Sequence, residues 1–142
     1  MIYLDYEAAR LRYERARGVV NEILTEQEEL FRMTQPGAIR YDKEKVDGGS
    51  APDMFEKYLS KKAELKIDER LDEAREICDG RRHEMKELED ELRASKDARD
   101  RIYLLRYVEH VRVYKIASSV HFSEAHVYRI LRKIDKMIEN VR

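Results

Sequence analysis

Apolar residues recur at helical spacing through most of the chain. From Asp5 to Met33 the apolar positions Leu4, Leu11, Val19, Val20, Ile23, Leu24 and Leu30 are spaced mainly by three, four or seven, with Tyr3, Tyr6 and Tyr13 widening the same side. This predicts one long amphipathic helix. Both prolines (Pro36, Pro52) and Gly37, Gly48 and Gly49 then crowd into a short interval, which predicts a loop over 34–52. Ser50 and Asp53 have capping-box spacing, with a carboxylate in place of the usual Glu or Gln, and open a second helix.

That second helix is expected to run from Asp53 to about Ala94, carrying Phe55, Tyr58, Leu59, Leu65, Ile67, Leu71, Ala74, Ile77, Met85, Leu88 and Leu92. At 1.5 Å per residue it would be about 60 Å long, more than a compact domain covers. The first helix is its natural cover, folded back across the loop as an antiparallel, coiled-coil-like hairpin, and a second copy of the chain is a further candidate. Gly80 is the one place where the second helix has an alternative, a break, although a single glycine costs only ~1 kcal/mol. Cys78 reads as a small core residue.

Three shorter helices are predicted over 95–142. The first spans about Asp97 to Glu109 and buries Ile102, Leu105 and Val108; the second spans about Val113 to Val120 and turns Ile116, Ala117 and Val120 inward. The third begins after Phe122, has Ser123 as its N-cap, and repeats Val127, Ile130, Leu131, Ile134, Met137, Ile138 and Val141 at helical spacing. The expected fold class is therefore all-α: a helical hairpin stalk over 1–94, then a helix-turn-helix domain over 95–142.

Charge sharpens this division. Charged residues make up 42% of the chain, 29 Lys+Arg against 30 Asp+Glu, yet they are unevenly placed. Residues 99–142 hold ten cations and five anions, a net +5, which leaves −6 for the rest. An acidic stalk joined to a basic terminus directs only the terminus toward a polyanion. In the helix-turn-helix reading, small Ala117 sits where two helices approach most closely, Phe122 plugs the turn, and the first turn of the last helix points outward as major-groove reading requires. Its outward side chains are Glu124, Ala125, His126 and Arg129. Arg132, Lys133 and Lys136 on the same helix, with Arg112 and Lys115 on the preceding one, are placed for phosphates.

The stretch LLRYVEH…YKIASSVHFSEAHVYRIL resembles region four of bacterial sigma factors, and more closely the phage and mobile-element regulators that join such a region to a helical N-terminal stalk, including RinA-like and ArpU-like late-gene activators. The likeness extends upstream through a long first helix and a loop containing KVDGGSAPD, but its specific part is residues 104–131. The resemblance implies a sequence-specific transcription regulator, an activator of phage or mobile-element genes, whose last helix reads promoter DNA. It places Ser123, Glu124, His126 and Arg129 at the groove, with Tyr128 and Arg132 flanking, and RNA polymerase as a further partner. The chain departs from the family where glycine is usual at both turns: His110 and His121 stand there, and Arg112 replaces the usual Ser or Thr cap. Histidine enters left-handed backbone more readily than most residues, so both turns are compatible with it.

Other chemistries find little footing. His83, His110 and His121 have no HExxH or cysteine pair beside them, so no metal site and no cofactor is expected. There is no phosphate-gripping glycine loop and no nucleophile elbow, and the carboxylates sit at the spacing of solvated helix faces, so catalysis is not expected either. One cysteine, no run of about 18 apolar residues and an acidic N-terminus point to a cytoplasmic protein without membrane partner. Two other functions fit the same elements: a phage DNA-packaging subunit resembling a small terminase, with the stalk building a ring, and a helical protein-protein adaptor with a C-terminal bundle that does not bind DNA.

Overall fold

The computed structural model describes residues 1–34 and 53–142. The expected loop over 34–52 and the Ser50 cap lie almost wholly outside the described residues. Those described form helices and no strands: α1 (Ile2–Met33), α2 (Asp53–Glu64), α3 (Ile67–Ala94), α4 (Ala98–Tyr103), α5 (Val113–Val120) and α6 (Glu124–Val141), with a π-helical stretch, Leu104–Val108, continuing α4. No helix among them is long and apolar enough to cross a membrane. They fall into two compact units, Arg15–Cys78 and Met1–Glu14 with Asp79–Arg142.

In the Arg15–Cys78 unit, Ile23, Ile67, Leu71 and Ala74 form a small core with Val20 and Leu30 against it. The single helix expected from Asp53 onward is in fact two, divided at Leu65 and Lys66. The reason lies in helical phase. Tyr58 and Ile67 are both buried, yet nine residues at 100° each would put them on opposite faces of a straight helix. Lys66 adopts a left-handed conformation (φ 53°) that resets the phase and lets both turn inward. Lys62 bridges the break to Asp68 at 3.1 Å, near the C-terminus of α2 and the N-terminus of α3, where each charge complements its helix dipole. Gly80 causes no break and lies within α3.

The other unit is built around the three C-terminal helices, but its core also takes Tyr3 and Tyr6 from the start of α1 and Leu92 from the end of α3. Two buried carboxylates bind these parts together. Asp100, 3% exposed, accepts the backbone N–H of Tyr3 at 3.1 Å and the Ser95 hydroxyl at 2.7 Å, satisfying one of the orphan donors in the first turn of α1. Glu7, 2% exposed, accepts the Tyr103 hydroxyl at 2.7 Å and pairs with Arg10 at 2.9 Å. Burial, then the bond to Glu7, pushes the Tyr103 phenol well above its ordinary pKa, and burial raises Tyr3 and Tyr6 as well.

Asp97 caps α4 by accepting the N–H groups of Arg99 and Asp100. The turn after it is wider than expected: Glu109 N–H reaches Leu104 C=O at 3.0 Å, five residues back, and Val111 N–H reaches Leu105 C=O at 2.8 Å. This π-helical winding corrects the expected inward face. Ile102, Tyr103 and Leu104 are buried, whereas Leu105 and Val108 are only partly covered, because a π turn rotates each residue less than an α turn does. In α6, Val127, Leu131, Ile134 and Ile138 are buried as expected, while Ile130 and Val141 are half-buried and Met137 is exposed.

Candidate nucleic-acid interface

The surface of interest is made by α5, α6 and the three residues between them. α5 ends where His121 takes a left-handed conformation (φ 61°, ψ 39°), with its N–H on Ala117 C=O. The next residue, Phe122, returns its N–H to the same carbonyl at 3.0 Å, a six-to-one bond that closes a Schellman-type end and folds the Phe122 ring back against the core. Ala117 is buried at this closure. His110 takes the same conformation (φ 56°) before α5, so both histidines stand in the left-handed geometry that glycine usually supplies.

Ser123 then caps α6, its hydroxyl oxygen accepting the His126 N–H at 3.2 Å. Its first duty is thus to its own helix. Arg112 holds the corresponding place before α5 with extended backbone and makes no side-chain cap. The Lys115 N–H instead reaches the Arg112 C=O at 3.0 Å.

All ten residues singled out in the sequence, Arg112, Lys115, Ser123, Glu124, His126, Tyr128, Arg129, Arg132, Lys133 and Lys136, are solvent-exposed. The helix sorts them. At 100° per residue the buried Val127, Leu131, Ile134 and Ile138 span an arc of about 60°, and Arg129, Arg132, Lys133 and Lys136 centre about 180° away from it. Ala125 lies within this cationic strip. Glu124 and Tyr128 fall on one shoulder with Asp135 and Glu139; His126 falls on the other, its ring edge-on to Phe122 at 4.7 Å. The strip thus joins Arg129 of the expected groove-facing residues to the expected phosphate-facing Arg132, Lys133 and Lys136, with Glu124 and His126 to either side. It is more basic than the first turn alone and centred nearly two turns further on.

None of Arg112, Lys115, Arg129, Arg132, Lys133 and Lys136 makes an ion pair among the described residues. Two exposed tyrosines border them, Tyr114 (52%) and Tyr128 (49%), and the Lys115 ammonium lies 6.0 Å from the Tyr114 ring centre. Such a surface holds positive charge that no carboxylate among the described residues pairs with, with amphipathic rings at its margin.

What sequence reasoning missed is the support behind this surface. The Tyr107 hydroxyl hydrogen-bonds the Asp135 carboxylate, tying the π-helical stretch to α6. Tyr107 stacks on Tyr103 with centroids 5.1 Å apart, and Tyr103 stacks on Tyr3 at 5.4 Å. The only advance signal was the density of tyrosines at both ends of the chain. No group of three or more potential metal ligands gathers among the described residues. No family model, curated protein or solved structure matches the chain.

Proposed function

We propose that the chain is a sequence-specific DNA-binding transcription regulator in which α5, the His121–Phe122–Ser123 turn and α6 act as a helix-turn-helix. The observation that carries this reading is the strip of Arg129, Arg132, Lys133 and Lys136, opposite the buried face of α6 and without carboxylate partners among the described residues. Four unneutralised cations on one helix face attract a polyanion, and a helix is the element that a major groove admits. Arg129 is the base-reading candidate, since a guanidinium pairs bidentately with guanine; Lys133, Lys136, Arg112 and Lys115 hold phosphates. The hairpin belongs to the same proposal. It is supported within each unit by itself, since Arg12 pairs with Glu84 in one and Glu26 with Arg70 in the other. Activation of phage or mobile-element genes, and contact with RNA polymerase, rest on the resemblance of residues 104–131.

Selection of duplexes from a random library by the full chain tests this. Enrichment of a defined site, with log affinity falling against log salt by a slope of about 4.5 if the five cations other than Arg129 meet phosphates, is the expected result. No enrichment together with no salt dependence would remove the reading.

One observation favours a second reading, the adaptor. In the Arg15–Cys78 unit a shallow groove of about 340 Å³ is lined by Val19, Ile23, Ala74 and Ile77 together with the charged Glu22, Glu26, Arg70 and Glu73, and both Val19 and Ile77 are exposed. An adaptor would bind a protein here and show no salt-dependent affinity for DNA, so the same titration separates the two.

A further inference from the structure

Charge pairs between neighbours on a helix face form at several places among the described residues. Arg10–Glu14, Glu28–Arg32 and Glu89–Arg93 form at four residues' spacing, and Lys61–Glu64 and Arg81–Glu84 at three. Arg132 and Asp135 have that same three-residue spacing on α6, yet no pair forms between them. The carboxylate is taken by the Tyr107 hydroxyl instead.

Tyr107 is well placed to hold it. Its ring lies nearly parallel to Tyr103 (30°), which stacks in turn on Tyr3 (28°) and donates its hydroxyl to buried Glu7. The phenol is the outer member of a column anchored in the core. Asp135, on the shoulder of α6 between the buried face and the cationic strip, has few other choices. At three and four residues' distance it meets Leu131 and Ile138, both buried, Glu139, which repels it, and Arg132.

We propose that Tyr107 is a positioning residue for DNA binding: by holding the Asp135 carboxylate, it keeps Arg132 available to a phosphate. The inference rests on α6 being the DNA-facing helix. Without the hydroxyl, Asp135 turns to Arg132, the one cation three or four residues from it on α6, and competes with the phosphate for the same guanidinium. The effect reaches DNA through charge, with the fold left standing.

Tyr107→Phe, Asp135→Asn and the double variant of the full chain, titrated by anisotropy against a short fluorescein-labelled duplex between about 50 and 200 mM salt, test this. Tyr107→Phe should lower the salt slope by about 0.9, the share of one phosphate, and weaken binding roughly three- to tenfold at the low-salt end. Asp135→Asn in the Tyr107→Phe background should restore both, because the competing charge has gone. A merely structural role for the hydroxyl predicts no rescue. An unmoved slope in Tyr107→Phe, or a double variant as weak as the single, overturns this inference while leaving DNA binding intact. A wild-type chain without salt-dependent binding overturns both.

Discussion

Tyr103→Phe separates what the tyrosine hydroxyl does for the fold from what burial of the ring does. At neutral pH the change removes one hydrogen bond, 2.7 Å long, to a carboxylate that is 2% exposed. Hydrogen bonds to charged groups contribute about 1.5–3 kcal/mol, and Glu7 keeps Arg10, so a loss of about 2 kcal/mol is expected. At alkaline pH the hydroxyl's contribution shrinks toward zero. Burial and the bond to Glu7 raise the folded-state pKa of Tyr103 far above the unfolded value of about 10, so the unfolded chain releases this proton first. Stability from that group is complete below about pH 10 and is lost above it at roughly 1.4 kcal/mol per pH unit. By about pH 11.5 the wild type has given up roughly 2 kcal/mol through Tyr103 alone, a loss Phe does not suffer. Urea unfolding of both chains between neutral pH and pH 11.5 should therefore show the two stabilities converging. Tyr3 and Tyr6, also raised, leave the variant some alkaline sensitivity of its own. A difference that stays constant across this range would refute the assignment of Tyr103 as a buried, carboxylate-bound phenol.

Three further outcomes are expected. His121→Gly should stabilise the chain by about 1 kcal/mol, measured as a shift in the urea midpoint, because a non-glycine residue held at φ 61° carries left-handed strain that glycine lacks; a destabilised variant would mean that the imidazole itself supports the turn. A fragment of residues 95–142 lacks Tyr3, Tyr6, Glu7 and Leu92 and should show no cooperative thermal transition by circular dichroism, whereas a sharp melt would show those residues to be dispensable. Arg129→Ala should relax selection at one base position and cost about 1–3 kcal/mol, while Lys133→Ala should weaken all duplexes alike and flatten the salt slope by roughly one unit; the reverse pattern would exchange their roles.

The C-terminal helices were legible because their signals are local. Ser123 with the apolar repeat from Val127 marks the start of α6, and the histidines at 110 and 121 mark the ends of the preceding helices, all from residues within a turn of each other. α1 was legible for the same reason, beginning three residues before Asp5. The break at Lys66 was missed because no proline or glycine stands there. Its signal was a conflict of phase between Tyr58 and Ile67, visible only once both are known to be buried. Glu7 and Asp100 were missed for a different reason. In a chain that is 42% charged, a carboxylate destined for burial has no local mark, since what selects it is a partner 96 or 97 residues away. The cationic strip was partly legible: the residues were named, but the π-helical winding and the hold of Tyr107 on Asp135 belong to tertiary packing.

The placement of the two buried carboxylates bears on how such a surface is kept in shape. α4 is only six residues long and α5 only eight, lengths at which isolated helices do not persist in water, so their order must come from packing. Asp100 and Glu7 supply that packing with direction. One fastens the first turn of α1 to α4, the other fastens α4 to the next turn of α1, and each is satisfied by one partner on the opposite element and one near it in sequence, Ser95 for Asp100 and Arg10 for Glu7. A buried carboxylate deprived of its partner costs several kcal/mol, so a shifted register between α1 and α4 is penalised far more steeply than an apolar contact alone would allow. Tyr103 and Tyr107 carry this registration to Asp135 on α6. The helix that carries the outward cations is therefore held in place through residues at the other end of the chain.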